Sequence, residues 1–296
     1  MDRPLIVHPT DLSRTSEAAF FHALKLGLAA HAHLSIAHFH DYATQRAPTL
    51  SAFPHVRDTL VRWGLLPSGA PQRAVSDTLG LYLSKGEFRA MNPEAGLAHL
   101  LKDRNAEFMV LGTRGLTGLR QLFKRSFSEE LARDARIPTL FVPEGVAGFV
   151  DAESGRARLD NLLIPVAEDP DPMAAIEVAI RLCKLLDQKA RLHLLHVGGG
   201  RASEPRVAGD VVFDQIVRQG PIVETIVQVA DEVEADAVVM TTAGHKSFLD
   251  ALRGSTTEEV LRKARRPLLA VPAGFTPARP IEAFTQSEAR PPAPPA

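Results

Sequence analysis

Two long stretches of the chain share one alternation of apolar and polar positions. "PLIVHPTDLSRTSEAAFFHALKLGLAAHAHLSIAHFH" and "NLLIPVAEDPDPMAAIEVAIRLCKLLDQKARLHLLHVG" each read as a short apolar strand, a polar turn, an amphipathic helix and another strand. In the second copy Met173, Ile176, Ile180 and Cys183 recur at three- and four-residue spacing, which makes a helical face. Pro172 suits the first turn of that helix, where a missing N–H costs nothing. In the first copy Ser13 is the predicted N-cap, with Ser16 and Glu17 in the first turn. Next, "NPEAGLAHLLKDRNAEFMVLG" is matched by "GPIVETIVQVADEVEADAVVM", in each case a helix after a proline and then a continuous apolar run. Such a run, Phe108 to Leu111 or Ala237 to Met240, suits a strand buried on both faces of a parallel sheet.

The copies continue to their ends. "GTRGLTGLRQLFKRSFSEELARDARIPTLFVP" and "TTAGHKSFLDALRGSTTEEVLRKARRPLLAVP" place Gly115 on Gly244, Ser126 on Ser255, Pro138 on Pro267 and Pro143 on Pro272. Each pair is 129 positions apart (244 − 115, 272 − 143). A helix after the shared serine and a short strand, "TLFVP" or "LLAVP", complete each copy. Self-similarity at a fixed offset means a duplicated unit. Strand and helix in alternation predict an α/β protein with parallel sheets covered by helices on both faces.

The copies differ in the middle. The first carries "DYATQRAPTLSAFPHVRDTLVRWGLLPSGAPQRAV", with a helix predicted from about Phe53 to Trp63. The second has only "GGGRASEPRVAGD", too short for much structure. These boundaries give a first domain over 1–146, a linker over 147–159, a second domain over 160–274, and a proline-rich tail over 275–296 that reads as disordered.

Composition narrows the function classes. The chain of 296 residues has a formal charge of −1, so no global field favours nucleic acid or an anionic membrane. Its one cysteine excludes an intramolecular disulfide and a Cys-rich zinc site. The start "MDRPLIVHPTDLS" lacks a long apolar segment, and no apolar stretch approaches a membrane span. The expected location is cytoplasmic. Four histidines, His31, His33, His38 and His40, alternate through "HAHLSIAHFH" and raise a metal site, but His38 aligns with His196 in the other copy, which favours a structural reading. No metal is predicted. "GGGR" lacks the Lys-Ser/Thr of a phosphate loop and reads as a connector, and Cys183 reads as a core residue.

On these stretches the chain resembles a tandem universal stress protein, two copies of that domain in one chain. The resemblance covers about residues 3–143 and 160–273 and rests on "VHPTDLS", "LFVP" and "GHKSFLDALRGSTTEEVLRKARRPLLAVP". It implies a five-stranded parallel sheet of order 3-2-1-4-5 in each half. It also implies association through the fifth strands, here an intrachain pseudo-dimer or a homodimer, besides protein partners the sequence does not name. The family's nucleotide-binding branch carries G-x2-G-x9-G-[S/T] after the fourth strand and an aspartate ending the first. The glycines let backbone N–H groups approach a phosphate, and the following helix adds N-terminal donors.

Carried over, the resemblance implies an ATP or related adenine-nucleotide site at Asp11, Gly112, Gly115, Arg125 and Ser126 in the first half. In the second half it implies Gly244, Gly254, Ser255 and Thr256. Arg125 stands where the first half needs its third glycine; Thr241 replaces the second half's first glycine and Ala167 its strand-end aspartate, with Glu168 one residue on. Arg114, Arg120, Lys124 and Arg125 leave the first loop cationic, able to hold phosphate through side chains. The implied role is stress response or signalling with nucleotide binding and no dedicated catalysis. The alternatives are a nucleotide-independent interaction scaffold or an ATP-hydrolysing enzyme.

Overall fold

The computed structural model describes residues 3–12, 16–40, 55–89, 93–113, 137–199, 211–242 and 256–276. Ten strands form one sheet: β1 (Leu5–Pro9), β2 (His33–His40), β3 (Tyr82–Arg89), β4 (Phe108–Thr113), β5 (Thr139–Pro143), β6 (Asn161–Pro165), β7 (Arg191–Val197), β8 (Phe213–Arg218), β9 (Ala237–Thr242) and β10 (Leu268–Pro272). The order across it is β3-β2-β1-β4-β5-β10-β9-β6-β7-β8. Each half therefore runs 3-2-1-4-5, and all its neighbours are parallel. The halves join where β5 and β10 pair antiparallel, with Phe141 opposite Leu268, Leu140 opposite Leu269 and Thr139 opposite Ala270. All six of these residues are fully buried, so the two short apolar strands protect each other as edges.

The helices are α1 (Glu17–Ala29), α2 (Val56–Arg62), α3 (Ala74–Leu79), α4 (Pro93–Asp103), α5 (Met173–Leu185), α6 (Ile222–Glu232) and α7 (Thr256–Lys263). The central strands bury both faces, as their continuous apolar runs predict. Along β1, Ile6 joins the core beneath α1 and α5, whereas Leu5 and Val7 join the core beneath α4, α6 and α7. Val110 and Val239 face the first core, Met109 and Val238 the second.

Local chemistry sets the helix ends. Ser16, not Ser13, occupies the N-cap position of α1, and its hydroxyl lies 3.1 Å from that of Thr10; Ser13 itself lies outside the described residues. At the start of α5, Asp171 Oδ1 accepts the N–H of Met173. Four helices then end alike. His31, Asn105, Asp187 and Glu234 take positive φ, and the next residue's N–H reaches back to Gly27, Leu101, Cys183 or Ala230. This is the six-to-one bond of a Schellman reversal, usually made with glycine. It turns each helix straight into the following strand.

The segment between the halves is packed. It makes a bridge between Val150 and Ala157, and Phe149, Val150 and Leu159 are buried. The backbone N–H of Phe149 donates to His22 Nε2 at 3.0 Å, and Trp63 Nε1–H donates to the carbonyl of Ala152 at 3.0 Å. Trp63 follows α2, so the insertion peculiar to the first half holds the connector in place. The predicted helix at about 53–63 forms over Val56–Arg62, and α3 adds a turn too short to show a period in sequence.

Gly155 lies against the Trp63 ring with φ +65°, and a Cβ there would fall 2.3 Å from Trp63 Cδ2. Gly155→Ala should therefore cost about 1–3 kcal/mol through overpacking and unfavourable φ, read as a lower urea midpoint. An unchanged midpoint would show that the ring has room to move.

The short stretch "GGGRASEPRVAGD" and the tail fall mostly outside the described residues, as 200–210 and 277–296. No described helix is long and apolar enough to cross a membrane.

Candidate functional site

In each half the chain leaves the first strand toward one side of the sheet and the fourth strand toward the other. A crevice opens at the carboxyl ends of the strands at such a switch point. The pairing registers superpose the two crevices residue by residue. Ile6 pairs with Phe108 and Leu162 with Ala237, so Asp11 corresponds to Ala167 and His8 to Ile164. Gly112 likewise corresponds to Thr241.

In the second half the crevice is a cleft of about 260 Å³. Leu195, Val197, Ile226 and Met240 form an apolar floor, and Pro165, Val166, Ala167, Asp169 and Pro170 make one wall. Thr241, Thr242, Thr256 and Thr257 complete the lining on the other side. Thr242 Oγ1 makes a long bond of 3.4 Å to the carbonyl of Val271. Thr241 Oγ1 is buried and has no hydrogen-bond partner. Thr256 and Thr257 open α7, whose first N–H groups have no partner within the helix and favour an anion. Glu258 and Glu259, also in that first turn, oppose this attraction. Thr256 is thus the one second-half candidate among the described residues, and it lines the cleft. Gly244, Gly254 and Ser255 lie outside them.

The first-half crevice has a different chemistry. Asp11 is exposed at the end of β1, and Thr10 beside it is wired to its surroundings. Thr10 Oγ1 contacts the Ser16 hydroxyl and accepts the N–H of Leu12 at 3.1 Å, and the carbonyl of Thr10 accepts His38 Nδ1–H at 2.8 Å. His8 is fully buried and donates from Nδ1 to the carbonyl of Val110 at 2.9 Å. Its Nε2 has no partner, and burial pushes its pKa down to about 4.

Gly112 lies within β4, next to β1, and a Cβ there would meet Cα and Cβ of Ser16 at 3.3 Å. The close approach of the α1 N-terminus thus accounts for a glycine here, independently of any phosphate. Gly115, Arg125 and Ser126 lie outside the described residues, as do Arg114, Arg120 and Lys124.

His31, His33 and His38 do not converge. His31 sits in the turn after α1, His33 Nε2 pairs with the Ser84 hydroxyl at 2.9 Å, and His38 bonds Thr10. Among the described residues no group of three or more His, Cys, Asp or Glu could hold a metal ion. Cys183 is buried, and desolvation pushes its thiol up to about 11, which makes it unreactive. Sequence reasoning missed Asp169 and Thr257, and it counted Thr241 only as a lost glycine. The "DPD" after β6 was the available signal for Asp169.

Two doubly wound parallel halves, joined edge to edge, with a cleft at the switch point of the second, define a duplicated α/β protein. The chain belongs to the Universal stress protein family, whose pattern matches residues 69–143 and 199–272, together half of its length. It is similar in structure to a universal stress protein from Archaeoglobus fulgidus DSM 4304, at 18% identity over 92% of this chain and 97% of that one, with a TM-score of 0.59. It is also similar to a functionally unknown protein of Pseudomonas aeruginosa PAO1, at 14% identity over 92% and 93%, with a TM-score of 0.60. The cytoplasmic domain of a prokaryotic cation chloride cotransporter shares the fold at 14% identity over 94% and 98%, with a TM-score of 0.50. At these identities the likeness is one of fold, and the same fold serves different proteins. No curated protein matches the chain in sequence.

Proposed function

We propose that the chain is a nucleotide-responsive stress or signalling protein of the cytoplasm that binds an adenine nucleotide in its second half. The observation that carries this reading is the cleft between β6 and β9. It combines an apolar floor, four threonines and the N-terminus of α7 at the place where open α/β sheets take ligands. The base lies on the floor, and the phosphates meet Thr256 and Thr257, with Gly244, Gly254 and Ser255 as the further expected contacts. The protein acts by binding rather than turnover. For the first half the scaffold reading has its own support, because close packing against Ser16 explains Gly112 without a ligand.

Titration of the whole chain with ATP in a calorimeter tests the proposal. The expected result is saturable binding near one nucleotide per chain. An absence of binding, with no nucleotide released on denaturing freshly purified protein, would leave the scaffold reading. Steady ATP turnover above background would overturn the binding-only role.

A further inference from the structure

We infer that the chain forms a symmetric dimer through β8, whose free edge pairs antiparallel with β8 of a second copy. The ten-stranded sheet ends in two edges, β3 and β8. On β3, Lys85 and Glu87 are charges of the kind that discourage strand addition, and Tyr82 lies under the Arg3 guanidinium at 3.9 Å. β8 carries no lysine, and none of its residues is buried. Its pairing with β7 uses half of its backbone. The carbonyls of Val212 and Arg218 accept the N–H groups of Leu192 and Gly198, so the even-numbered residues face β7. Backbone polar groups alternate in direction along a strand, so the N–H and C=O of Phe213, Gln215 and Val217 point away from the sheet. Arg218 reaches back to the carbonyl of Val217 at 3.2 Å, a contact open to solvent. Apolar side chains stand in water beside these groups, with Val212 57% and Val217 46% exposed.

The sequence of β8 suits a copy of itself. With the two-fold axis at Gln215, Phe213 stands opposite Val217 of the second copy, and the reverse pair forms on the other side of the axis. Phe213 already packs against the core beneath α1 and α5, so both pairs extend that core. Cross-strand pairs of an aromatic and a β-branched side chain are favourable in sheets. On the opposite face Asp214 lies diagonal to Arg218 of the second copy, within reach of a long side chain of opposite charge. Both keep 40% or more of their side chains exposed in their present pairs with Arg191 and Glu232. An axis moved to Ile216 would instead set Val217 on Gln215 and Phe213 on Gln219, leaving that face without an apolar pair. The chain already closes one pair of edges this way. β5 and β10 pair antiparallel, and their six paired residues are buried. Among the described residues no strand of the same chain reaches the outer side of β8.

Sedimentation equilibrium of the full chain tests this. One short strand pair buries less than a standard interface, so the expected result is a reversible dimer with a dissociation constant on the order of 10–100 μM. Val217→Lys puts a charge on the edge at an exposed position, and should weaken the dimer about tenfold or more without moving the urea midpoint. Gln215→Cys should crosslink two copies under mild oxidation, because the Cα atoms of a hydrogen-bonded antiparallel pair stand about 5.5 Å apart, a span that suits a disulfide. The native Cys183 is buried and does not compete. Glu87→Cys, on the other edge, should not crosslink. A monomer at every concentration, or a dimer that Val217→Lys leaves unchanged, would overturn the proposal. Crosslinking by Glu87→Cys and not by Gln215→Cys would place the contact on β3 and overturn it equally. So would slow hydrogen exchange at the Phe213, Gln215 and Val217 amides in the dilute monomer, since another segment of the chain would then cover β8.

Discussion

Acidification from pH 6.5 to 4 should destabilise the fold by about 3 kcal/mol at each of two buried histidines, His8 and His22. Burial holds both at about 4, below the ordinary 6.5. Hydrogen bonding shows why the charged form is excluded. His22 Nδ1–H donates to the carbonyl of Ala18 at 2.6 Å, and its Nε2 accepts the N–H of Phe149, so a second proton would set donor against donor. A proton on His8 Nε2 would find no acceptor.

Between pH 4 and 6.5 the unfolded chain holds protons that the folded chain does not. Stability is therefore complete above 6.5, falls as the pH drops toward 4, and is flat with respect to these two groups below that. Urea midpoints at pH 7, 5.5 and 4.5 measure the slope. His8→Ile copies Ile164, its fully buried counterpart in the second half, and should remove about half of the slope. Equal midpoints at pH 7 and 4.5 would show that neither histidine is held neutral.

Trp63→Ala should cost about 3–5 kcal/mol and free the segment between the halves. Trp63 is 8% exposed, lies with its ring 6.2 Å from that of Phe21 at a tilt of 54°, bonds Ala152 and covers Gly155. Its removal leaves a cavity, an unpaired carbonyl and a loop that has lost its cover. Trypsin should then cut after Arg156 or Arg158 under conditions where wild type resists, and the urea midpoint should fall. Equal protection of the two proteins would mean that Phe149 and Leu159 anchor the connector without Trp63.

The repeat, the parallel α/β class and the strand positions were legible in the sequence because each rests on local periodicity. A strand buried on both faces must be apolar throughout, and Phe108–Leu111 and Ala237–Met240 are. The helix ends were not legible. His31, Asp187 and Glu234 carry no glycine-like signal, and the strand each reversal feeds, rather than its own side chain, requires the turn. The connector read as a linker because its anchors, His22 and Trp63, are far from it in the chain and reach it only after α1 and α2 have packed.

For the site, sequence by itself determined which loops border the crevices and where the motif departs from its family pattern. Only the tertiary structure decided what those departures mean. Gly112 is a packing glycine because α1 presses Ser16 against β4, a contact between residues distant in sequence. Ala167 and Thr241 become neighbours in one cleft because β6 and β9 pair in a particular register, and the same register brings Asp169 to its wall. Spacing along a chain fixes which side chains share a face of one element. Which faces meet, and which hydroxyl is left without a partner between them, follows from how the elements pack.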